Sequence, residues 1–107
     1  MRRMTRIGFE SYSESGLPGA ELVGKGLLDL SRETISAEAL LVLVAGPRLR
    51  RLGVAVPLCP HIPRPREHQL YELLERTHGL DAFSRYNSLL RRIVSFAHAM
   101  EREKKRG

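Results

Sequence analysis

Cys59-Pro60-His61, with His68 seven residues on, holds the residue types in this chain that come nearest to metal or thiol chemistry. Zinc takes thiolate and imidazole ligands, and a structural site closes with four of them, often in short paired spacings. Here there is one cysteine, the flanking prolines stiffen the loop, and His78 would have to arrive from elsewhere in the fold. A cysteine nucleophile needs a base and an electropositive setting. His61 is near in sequence, but a neighbour two residues away rarely has the geometry to act as that base. Paired carboxylates for acid–base work are also missing. Glu72 and Glu75 are three apart and Glu72 and Arg76 four apart, the spacing of a salt-bridged, solvated helix face. Gly24-Lys25-Gly26 lacks the two glycines separated by four residues, and the Lys-Ser/Thr that follows them, in a phosphate loop. These residues call for no catalytic side chain, no metal and no cofactor, and a non-enzymatic role is expected. A small hydrolase or metal-dependent enzyme is a remote alternative.

Arginine is the more informative residue type. The chain carries 18 Lys+Arg against 12 Asp+Glu, a net charge of +6, and all but three of the cations are arginine. The guanidinium fork suits phosphate and carboxylate oxygens. The charges are segregated: residues 47–66 carry +5 with no acid, and residues 85–107 also carry +5. Residues 7–46 and 67–84 are net acidic, at −4 and −3. Arg48, Arg50 and Arg51 in the first basic zone, with Arg91 and Arg92 in the second, are therefore the candidate anion-binding or nucleic-acid-binding residues. Lys/Arg clusters neutralise phosphates without reading sequence. No recognition-helix pattern and no sheet with stacking aromatics accompanies them.

The elements that must position these residues read mostly as helices. Pro18 suits a helix start, and Ala20, Val23, Leu27 and Leu30 follow at helical spacing. Gly24 and Gly26 weaken that helix, and their sensible use is the close approach of another backbone. Ser36 is a preferred N-cap, Ile35 and Leu40 hold the staple positions, and Glu38 lies in the first turn. Leu40 to Val44 is apolar all round, as in a buried central helix. Pro47 ends or kinks that helix at Gly46. It opens a short turn with Leu49 and Leu52 inward and the three arginines outward, closed by Gly53. Residues 54–66 hold four prolines and read as an extended connector lying on the core, with Val54, Val56, Leu58 and Ile62 against it. A helix then runs from Glu67 to Thr77, and Asp81 caps a last helix from about Ala82 to Lys104.

The apolar face of that last helix, Tyr86, Leu89, Ile93, Phe96 and Met100, is widened by Leu90, Val94 and Ala97. It is broader than a coiled-coil seam. A domain of 107 residues leaves much surface exposed. The five stripe residues are therefore the expected partner interface, of a homodimer or with another protein. The fold class expected is all-α, a single domain of four to five helices, with residues 1–16 a possible arm and 101–107 a basic tail. An α+β arrangement, pairing 41–45 with 54–56, is the alternative. A helical interaction module is the first expectation for function, and a basic DNA- or RNA-binding protein the second. A single cysteine and the lack of any long apolar run suit a cytoplasmic protein without a membrane span.

Overall fold

The computed structural model describes residues 16–106, and they form an all-α fold. The helices are α1 (Ala20–Ser31), α2 (Ala37–Val44), α3 (Gly46–Arg51), α4 (Arg66–His78) and α5 (Ala82–Arg106), with a 3-10 turn at Gly79–Asp81 between the last two. No strand occurs among the described residues. The α+β alternative is thus corrected: residues 41–44 complete α2, and 54–56 have no regular structure. The possible arm at the N-terminus lies outside the described residues, apart from Gly16.

The sequence places α2 at the centre because it offers no polar side to water. Ala39, Leu40, Leu41, Val42 and Leu43 are all buried, and α2 packs against α1, α3, α4 and α5. Its start is fixed by Ser36, whose Oγ accepts the Ala39 N–H at 3.1 Å. The same hydroxyl donates to the Asp29 carboxylate of α1 at 2.6 Å, and Lys25 Nζ donates to that carboxylate at 2.7 Å. One nearly buried acid therefore ties the end of α1 to the cap of α2. Ile35, expected to staple onto Leu40, is 45% exposed at the rim of a cleft that Leu40 also lines.

Gly26 explains how closely α1 and α2 approach. A Cβ there would stand 2.5 Å from the Glu38 carbonyl oxygen and 2.5 Å from Val42 Cγ2. Backbone cannot move aside as a side chain can, so only glycine fits. Gly19, the N-cap of α1, has φ +77, and its missing Cβ lets the Arg92 carbonyl of α5 come in. The helix starts at Ala20, two residues beyond Pro18.

After α2, Ala45 and Pro47 turn the chain into the single short helix α3, whose Leu49 is fully buried. Gly53, at φ +96, ends it as its position predicts. Residues 54–65 then cross the core without regular structure. Val54, Val56 and Ile62 are buried, whereas Leu58 is 65% exposed and does not join them. Helices α4 and α5 pair as an antiparallel hairpin, with Tyr71 and Tyr86 meeting edge to face at 5.5 Å. Asp81 lies inside the 3-10 turn and is not a separate cap ahead of α5. With 25 residues, α5 extends about 37 Å and sets the long axis of the molecule.

Candidate nucleic-acid interface

The first basic zone is largely spent on the chain itself. The connector's prolines remove N–H donors, and its irregular path leaves carbonyls without a ladder. Beside the turn in which the Ile62 N–H donates to the Cys59 carbonyl at 3.1 Å, the donors therefore come from side chains. Arg50 donates to the Val56 and Pro57 carbonyls, each at 3.0 Å. Arg66 donates to the Leu58, Cys59 and Ile62 carbonyls at 2.9, 2.8 and 3.4 Å. Two guanidinium forks thus take four consecutive carbonyls, Val56 to Cys59, and a fifth beyond. Arg66 is only 8% exposed. Sequence reasoning counted both as surface charge. The signal for their role was present, in four prolines bracketed by arginines.

Arg48 pairs with Glu101 of α5 at 3.1 Å, and Arg51 is exposed with no partner among the described residues. The Arg48–Glu101 pair has a consequence for layout. It sets the outer side of α3 beside the last turns of α5, so the two basic zones that are far apart in sequence adjoin in space.

The second zone is more open. At about 100° per residue, Ser84, Ser88, Arg91, Ser95, His98, Arg102 and Lys105 fall within a sector of about 100° on α5. All seven are exposed. The face runs about 32 Å along the helix and carries no acid. None of these side chains has a partner among the described residues. Arg92 stands at the edge of the face and pairs with Glu21 of α1. Sequence reasoning singled out Arg91 and Arg92 but missed the serines and His98 between the cations. Their seven-residue recurrence, at 84, 91, 98 and 105 and at 88, 95 and 102, was the signal.

The opposite face of α5 does not offer the expected partner interface. Ile93 and Phe96 are buried in the chain's own core, at 3% and 0% exposure. Tyr86, Leu89 and Met100 are half-buried against the same core. The stripe is wide because α5 packs on α1, α2 and α4 together. Val94, at the margin of the widened stripe, is 41% exposed, and the most exposed large apolar side chains lie elsewhere. Leu80 and Phe83, at the turn into α5, are fully and 65% exposed. Burial, with the Glu67 carboxylate nearby adding to it, pushes the Tyr86 phenol above its ordinary range.

Cys59 contributes its carbonyl to Arg66, and His68 sits 3.1 Å from Glu72 on the solvated side of α4. Among the described residues, no three His, Cys, Asp or Glu side chains gather where they could hold a metal ion. No helix among them is long and apolar enough to cross a membrane. In comparisons with known proteins, the chain matches no family model, no curated protein and no solved structure.

Proposed function

We propose that this chain is a non-enzymatic binding module for the phosphate backbone of nucleic acid, and that the outer face of α5 is its binding surface. The observation that carries this reading is the exposed, acid-free line of hydroxyl and cationic side chains from Ser84 to Lys105. Cations release condensed counterions when they neutralise phosphates. Serine hydroxyls donate to phosphate oxygens and, being short, let the backbone come close. Arg51 extends the positive field from α3, and the Arg48–Glu101 contact joins the two surfaces. An anionic membrane is the weaker partner, because a helix that lies in a bilayer surface inserts its apolar face. On α5 that face is buried in the core.

The experiment is a titration of the whole chain onto mixed-sequence DNA and RNA at low salt, beside vesicles containing anionic lipid. Binding to nucleic acid that weakens steeply as salt rises is expected. No binding at low salt, or binding to the vesicles alone, overturns the proposal.

Self-association is a second reading, favoured by the fully exposed Leu80 beside Phe83 at the α4–α5 turn. It would place a homodimer contact at that corner and not along the stripe of α5.

A further inference from the structure

From the outer face of α5 we infer that the ligand is double-stranded nucleic acid, held by its backbone, and not a single strand. This rests on the phosphate-binding reading and names the ligand class of the same surface. Proteins that hold single strands combine a basic groove with aromatic side chains on which successive bases stack. The outer face of α5 has no Phe, Tyr or Trp, and its one ring, the imidazole of His98, is a single stacking surface where successive bases need several. Phe83, the exposed aromatic on this helix, lies about a quarter-turn round from Arg91, and Tyr71 and Tyr86 are turned edge to face on each other.

What the face does offer is a rigid array. The inner side of α5 is held by Ile93, Phe96 and Ala97 in the core, so the helix positions that carry Arg91 and Arg102 are in place before any ligand arrives, with Lys105 on the turn beyond. Arg91 and Arg102 are three helical turns apart, about 16 Å. A duplex presents phosphates already fixed in line. A single strand has to be ordered first, and one imidazole to stack on offsets little of that cost. Counterion release points the same way. The slope of log K against log salt is about −0.9 per phosphate contact on duplex DNA and about −0.7 on single strands. For about four contacts, the three cations of the face with Arg51 of α3, this difference corresponds to roughly a tenfold preference for duplex at about 50 mM salt.

The test measures binding of the whole chain by fluorescence anisotropy at about 50 mM salt. The ligands are a mixed-sequence DNA duplex about two turns long, its two separate strands, and an RNA duplex with its own strands. The expected result is a roughly tenfold tighter Kd for at least one duplex over its component strands, unchanged by Phe83→Ala. Equal or tighter binding of the single strands, or loss of binding in Phe83→Ala, overturns the duplex assignment while leaving phosphate binding standing. Failure of duplexes and strands alike to bind overturns the phosphate reading itself, and the duplex assignment with it.

Discussion

Arg66 shows how one residue can be visible in a sequence and still be misjudged. Its charge is plain, but its acceptors are the carbonyls of Leu58, Cys59 and Ile62, and only the folded path of the connector brings them within reach. A run with four prolines has few backbone donors of its own (the Ile62 N–H reaches the Cys59 carbonyl at 3.1 Å), so the requirement for further donors was legible even though the donor's identity was not. Lysine is a point charge and cannot reproduce the fork. Arg66→Lys should therefore lose about 2 kcal/mol of stability, and Arg66→Ala more, since hydrogen bonds to charged groups contribute about 1.5–3 kcal/mol. Urea denaturation measures this, and limited proteolysis should show new cleavage within residues 54–65 in the variants. Wild-type stability and wild-type cleavage in both variants would contradict the assignment.

At the level of elements, the helices were legible where local chemistry decides them. The Ser36 cap, the apolar run of α2, the break before Pro47 and the stop at Gly53 follow from backbone rules that need no tertiary partner. What could not be read was the tie between elements. Asp29 is nearly buried, and the Lys25 ammonium, then the Ser36 hydroxyl, hold its carboxyl below the ordinary carboxylate value of 3.8. A carboxyl with a lowered folded pKa stabilises the fold above its unfolded pKa and loses that contribution as pH falls through the folded value. The junction of α1 and α2 should accordingly weaken on acidification below about pH 4. Asp29→Asn should cost about 1–3 kcal/mol at neutral pH. It should also flatten the acid limb of the stability profile, measured by denaturant titration across pH. An acid limb identical to that of the wild type would show that another carboxyl governs it.

For the whole molecule, the apolar stripe of α5 was read correctly as too broad for a coiled coil. Its cover was misjudged, because α1, α2 and α4 of the same chain take it up. Val94 at its margin stays 41% exposed, and Leu80 and Phe83 form an exposed apolar corner at the α4–α5 turn. If copies of the chain associate there, light scattering at rising concentration should show a dimer that Leu80→Ser with Phe83→Ser abolishes. A monomer at every concentration would remove self-association from the account. The two basic zones, though adjoining, differ in role: the first mainly stitches the connector, and the second faces solvent along about 32 Å of α5.

The most direct measurement of the central claim is the salt dependence of duplex binding by wild type and by Arg91→Ala with Arg102→Ala. Both side chains are exposed and without partners among the described residues, so the fold should be unaffected, as circular dichroism would verify. Each lost phosphate contact lowers the magnitude of the slope by about one. The account predicts a decrease of about two in the double variant. An unchanged slope would contradict it and move the binding surface away from α5.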